Sequence, residues 1–97
     1  TMERVQIDFH IDPETGEPHI YDHDVSEDEV EEVLCSPGED LPARNGARSI
    51  IGQTDDGRHL RVICVRDVTA GRIFVVTAYE LSSRQLTAYR RRRRKRK

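Results

Sequence analysis

Residues 90–97 read RRRRRKRK, eight cations with no acid among them. Such a run can neutralise several phosphates and give nucleic-acid binding that depends on salt rather than on base sequence. Arg-rich segments commonly become ordered on RNA. The alternative is a solvated tail, or one folded back on an acidic body. The other 89 residues carry 8 basic and 18 acidic side chains, a balance of −10. Residues 1–40 alone hold 14 acids against one base, Arg4. A polyanion would be repelled by that body, so its contact is confined to Arg90, Arg91, Arg92, Arg93, Arg94, Lys95, Arg96 and Lys97.

Metal-independent RNA cleavage needs a base near a 2′-hydroxyl and cations near the scissile phosphate. Arg58, Arg61, Arg66 and Arg72 are candidate cations, with Tyr79, Tyr89 and the histidines His10, His19, His23 and His59 as proton carriers. The same arginines could equally pair with carboxylates on a solvated sheet face. His19 and His23 are four apart and could share a metal on a helix. They fall between Pro18 and the helix cap at Ser26, where a helix is not expected, so no metal and no cofactor is assigned. Phosphate-cradling glycine loops, nucleophile elbows, HExxH and zinc ribbons are absent, which excludes the common cofactor and triad enzymes.

The elements that must position these groups read as β-α-β-β-β-α. In VQIDFHI, residues 5–11, apolar Val5, Ile7, Phe9 and Ile11 alternate with polar residues, marking a half-buried strand. Pro13 to Pro18 is turn chemistry. Ser26 and Glu29 form a capping box, and Val25 and Val30 are spaced as a hydrophobic staple. Val30, Val33 and Leu34 share a face of that helix, and Pro37-Gly38 ends it. Residues 39–47 read as a polar loop. Strands are expected over Arg48–Thr54, Arg58–Asp67 and Arg72–Glu80, the first two joined at Asp56-Gly57. The last two have apolar residues on both faces and read as central. Ser82, Gln85, Leu81 and Leu86 repeat the cap and staple for a second helix carrying Tyr89. The expected fold class is α+β, an antiparallel sheet of three to four strands with two helices packed on it.

The length fits one domain, residues 1–89, followed by the basic tail 90–97. The apolar blocks are strand-sized, so no membrane span is expected, and the first residues lack the apolar stretch of a signal peptide. Cys35 and Cys64 form no CxxC pair and read as reduced thiols in or near the core of a cytoplasmic protein.

Several runs carry a family resemblance. His23 to Leu34, HDVSEDEVEEVL, resembles the HGV-then-helix segment of BrnT-type toxins and is similar to a neighbouring family of uncharacterised proteins. Ile51 to Ile63, IGQTDDGRHLRVI, resembles their IGxTxxGRxLxVV hairpin. Arg72 to Tyr79 resembles their last strand, and Ala88-Tyr89-Arg90-Arg91 their C-terminal helix. The match runs from about His19 to Tyr89, and the hairpin motif also has a structural explanation in its turn glycine and packing residues. Where the BrnT pattern has Ser-Ala-Arg, this chain has Thr77-Ala78-Tyr79. Asp24 stands for a glycine, and Asp22 for the usual lysine.

The resemblance implies a RelE-like fold, and a toxin that acts on RNA, free or at the ribosome, and is neutralised by an antitoxin protein. In a chain that cleaves RNA, the candidate catalytic residues are His23, Arg58 and Tyr89, with the Arg90–Arg94 run on the phosphates. The competing reading is a non-enzymatic module that binds nucleic acid or a partner protein through a sheet edge and the tail. A homodimer of tail against acidic face is a third.

Overall fold

The computed structural model describes the backbone of residues 5–95 and the side chains of residues 5–94. Arg96, Lys97 and the side chain of Lys95, all assigned to the basic run, lie outside the described residues. Five strands and two α-helices follow in the order β1 (Gln6–Phe9), α1 (Glu27–Cys35), β2 (Pro37–Pro42), β3 (Arg48–Gln53), β4 (His59–Asp67), β5 (Arg72–Glu80) and α2 (Ser83–Lys95). Short 3-10 turns occupy His19–His23 and Arg44–Gly46. The fold class is α+β. Among the described residues no helix is long and apolar enough to cross a membrane.

The sheet has the order β1-β5-β4-β3-β2. It is five-stranded and mixed, not the antiparallel sheet of three or four strands that the sequence suggested. Two segments account for the difference. β1 pairs parallel with β5, Gln6 opposite Arg72 and Phe9 opposite Val75; period-two alternation identifies a strand but not the direction of its partner. β2 takes up Pro37-Gly38, read as the end of α1, and the first four residues of the stretch read as a polar loop, and it pairs antiparallel with β3. Its prolines sit at its two ends on a sheet edge, where a missing N–H need not break a central ladder. Leu41 is its one apolar side chain outside those prolines, so no hydrophobic period announces it.

β4 and β5 are interior strands, as their composition implied, joined antiparallel with an irregularity at Ile63/Cys64. Both cap predictions hold. Ser26 Oγ accepts from the Glu29 N–H at 3.2 Å, and Glu29 Oε1 accepts from the Ser26 N–H at 3.0 Å. At α2, Gln85 N–H donates to Ser82 Oγ at 3.2 Å and Ser82 N–H to Gln85 Oε1 at 2.9 Å.

Strand alternation assigns each helix its own face of the sheet. Val30, Val33 and Leu34 of α1 join Ile50, Leu60, Val62, Cys64 and Val75 in the main core. Each such side chain taken fully out of water contributes roughly 1.5–3 kcal/mol. Ile51 points the other way and meets Leu81, Leu86 and Tyr89. That second face is only partly covered, so Val65, Phe74 and Val76 stay exposed. Cys64 is buried and Cys35 is exposed, so only one of the two thiols is in the core.

The seating of α1 rests on the small size of Gly52. A Cβ there would lie 3.0 Å from Val33 Cγ1 and 3.3 Å from the Ser36 carbonyl oxygen. Gly52→Ala should therefore destabilise the fold by about 1–3 kcal/mol through overpacking. The check is a denaturant midpoint; an unchanged midpoint would mean that α1 can withdraw from β3 at no cost.

Candidate nucleic-acid interface

Beyond Tyr89 the second helix does not stop, and Arg90 to Lys95 are helical. Local physics pulls both ways there. Arginines three and four apart repel one another, whereas cations in the last turns are favoured by the negative end of the helix dipole. Tertiary contacts decide the matter. Glu39 of β2 is 6% exposed. It accepts two bonds from Arg92, from Nε at 2.6 Å and from Nη2 at 2.9 Å. This two-pronged pairing matches a planar guanidinium to a carboxylate and satisfies an acid that burial would otherwise penalise. Next to it, Arg93 Nη1 donates to the Gly38 carbonyl at 2.6 Å. The Tyr89 hydroxyl lies so close over Gly38 that any Cβ at that position would collide with it.

With α2 held by Arg92, its neighbours border an open cleft of about 520 Å³ between the helix and the β3–β4 end of the sheet. Arg90, Arg93 and Arg94 line it from the helix, and Gln53, His59 and Gly38 from the sheet. The Arg93 guanidinium sits 5.7 Å from the centre of the Tyr89 ring, a cation–π distance. The His59 and Tyr89 rings are 5.9 Å apart. Burial, and after it the charge of Arg90, push the pKa of His59 below the ordinary histidine value. That shift favours the neutral form of its imidazole, which can accept a proton. A second, acidic hollow bordered by Asp28, Glu31, Glu32 and Asp55 abuts the cleft, sharing Ser36 and Gln53 with it. Cationic and anionic surfaces thus meet along one line.

The three residues suggested for catalysis are not brought together at this cleft. Tyr89 lines it but is 5% exposed, and its ring is core. Arg58 and His59 are consecutive and serve opposite faces. Arg58 Nη1 donates to Glu29 at 2.8 and 3.0 Å and to the Asp24 carbonyl at 3.1 Å, and Nη2 reaches Glu80 at 3.3 Å. Arg58 is thereby a strut joining the start of α1 to β4 and β5. His23 lies beside that strut, at the end of a 3-10 turn closed by Asp24, its ring 6.1 Å from Tyr79 and 5.1 Å from His19. The turn occupies the stretch where no helix was expected, because Pro18 ahead of it and the left-handed Asp24 behind it suit one short turn rather than an α-helix.

The carboxylate pairing weighed for the other sheet arginines is present at two of them. Arg66 meets Asp40 at 2.8 Å and Arg72 meets Asp8 at 3.0 Å. Arg61 differs: its Nε is buried without a hydrogen-bond partner. Sequence reasoning named His59 only as one of four histidines and Gly38 only as part of the end of α1, and it did not name Glu39. The position of His59 opposite Gln53 follows from β3–β4 register, and that register was the available signal for it. Compared with known proteins, the chain matches no family model, no curated protein and no solved structure, so the site rests on its own geometry.

Two outcomes test this arrangement. Gly38→Ala should push Tyr89 and α2 off the sheet, lowering helix content and thermal stability together; far-UV circular dichroism through a thermal melt measures both. The second concerns Glu29, whose carboxyl is held below the usual range by the Ser26 N–H and by Arg58. A depressed carboxylate stabilises the fold above its unfolded pKa of about 4.3 and loses that effect as pH falls through the folded value. Glu29→Gln should lower the melting temperature at about pH 7 and flatten its decline towards about pH 3. Parallel curves for the two proteins would remove the strut from the account.

Proposed function

We propose that this chain is an RNA-binding protein of the RelE/BrnT-like toxin kind, which seats phosphates of single-stranded RNA in the cleft beside α2. The observation that carries this reading is the convergence of Arg90, Arg93 and Arg94 on one cleft, on a helix held in place by the Glu39–Arg92 pair. Three guanidiniums on one side match a phosphate backbone, and the acidic hollow beside them repels the strand from the rest of the surface. The toxin part of the reading draws on the resembling runs His23 to Leu34 and Ile51 to Ile63. It is supported by Asp24, which stands where the resembling proteins carry glycine and has the left-handed φ of 59° that glycine adopts most easily. In this reading the fold is RelE-like, the protein works in the cytoplasm, and an antitoxin is a protein that covers the cleft.

Cleavage of RNA is the second reading, favoured by His59, an imidazole whose neutral form is favoured by burial and which lines the same cleft as the arginines. It can take a proton from a 2′-hydroxyl whose phosphate is held by Arg90, Arg93 and Arg94. His59 replaces His23 and Arg58 in this role, because those two lie with the strut at the start of α1.

Fluorescence anisotropy with a labelled RNA oligonucleotide tests both readings, each sample then being run on a denaturing gel. Three phosphate contacts to a single strand give a salt slope of about −2, and removing Arg93 and Arg94 together should reduce that slope by about 1.4. Binding that ignores salt and both arginines would overturn the RNA reading. Salt-dependent binding with RNA recovered intact would leave a binding module. Shortened RNA that becomes full-length again with His59→Ala would establish the nuclease.

A further inference from the structure

Outside the cleft, in the segment between β1 and α1, three side chains converge that the proposed function does not use. Asp12, His19 and Asp22 each offer one ligand atom, and these atoms all lie within 4.8 Å of one another. Asp12 and His19 belong to a small hairpin in which Ile11 bridges Pro18. Two backbone bonds of 2.9 Å lock it, Asp12 N–H to the Glu17 carbonyl and His19 N–H to the His10 carbonyl. Asp22 comes from the 3-10 turn His19–His23, which Asp24 closes with its N–H bonded back to Tyr21.

The His19–Asp22 separation suits two ligands of one metal better than a hydrogen bond. His19 Nδ1 and Asp22 Oδ2 are 3.6 Å apart, longer than a hydrogen bond between these atoms. Two ligands each about 2.1 Å from a tetrahedral zinc ion are about 3.4 Å apart, close to that separation. Asp12 is oriented from behind, its Oδ1 accepting the Glu14 N–H at 2.9 Å, which leaves Oδ2 to bind. Such support of a ligand by a second bond is how protein metal sites fix their carboxylates. More imidazoles stand alongside: the His23 ring is 5.1 Å from that of His19, and the His10 ring 6.0 Å.

We propose that Asp12, His19 and Asp22 bind a divalent cation of the zinc class, with His23 or water in the fourth position. One imidazole and two carboxylates form a nitrogen–oxygen ligand set that zinc accepts and that calcium and magnesium, which take oxygen, do not favour. The cation clasps the hairpin after β1 to the turn before α1, joining two segments that otherwise meet through backbone bonds. This site is separate from the RNA cleft, so either can exist without the other.

The test is calorimetric titration of the full chain with zinc chloride at neutral pH, followed by cobalt(II) absorption spectroscopy. Wild type should take up one zinc ion per chain and give the visible bands of four-coordinate cobalt. His19→Ala and Asp12→Asn should each weaken uptake at least about tenfold, with far-UV circular dichroism confirming that the variants are folded. Asp12→Asn decides the matter if His19→Ala fails to fold, because it keeps the shape of the side chain. Cys35→Ser should leave uptake unchanged. Absence of uptake, uptake that survives Asp12→Asn, or uptake that disappears with Cys35 would overturn the proposal.

Discussion

One buried carboxylate determines where the arginine-rich helix can lie. Glu39 sits on an edge strand with little side-chain exposure, and its charge is tolerable there only with a partner. Arg92 supplies that partner from more than fifty positions along the chain. The pair spends one guanidinium of the run on structure and thereby fixes the direction of the others. Arg93 follows with a bond to the Gly38 carbonyl, and Tyr89 closes over Gly38. Without this contact the cations would form a helix whose members repel one another and which has only a small apolar footing on the sheet.

Arg58 performs the matching task on the opposite face. It is linked to α1 through Glu29 and Asp24, and to β5 through Glu80. Glu29 in turn belongs to the helix cap, so one carboxylate both starts α1 and tethers it. Arginine thus has two uses in this chain. Where a carboxylate meets it, it braces the fold; where it faces open solvent beside its own kind, it is available to an anion.

Much of the fold was legible because it follows from local rules. Both capping boxes, both staples and the three consecutive strands after Arg48 are written in residues a few positions apart. What stayed hidden depends on distant partners. β2 has no hydrophobic period, and its place in the sheet shows only against β3. The direction of β1 is set by β5, which lies about sixty-five residues later. The candidate site divides in the same way. The Arg run and Tyr89 could be seen, but His59 could not be preferred over the other histidines without the β3–β4 register and the path of α2. Arg58 and His23 attracted a chemical reading by type, yet their neighbours are carboxylates and aromatic rings that sequence spacing does not bring near.

The parallel pairing of β1 with β5 also bears on the order in which the molecule assembles. The hairpins β2–β3, β3–β4 and β4–β5 close short loops and can form as soon as their residues are available. β1 closes a loop that encloses nearly the whole domain, and contacts of such long range form late and slowly. During synthesis the residues of β1 emerge before those of the other four strands and have no strand to join until Arg72–Glu80 has left the ribosome. Ile7 and Phe9, which pack against the main core in the finished fold, must stay in water for that interval, so the strand made before the others is the last to find its place.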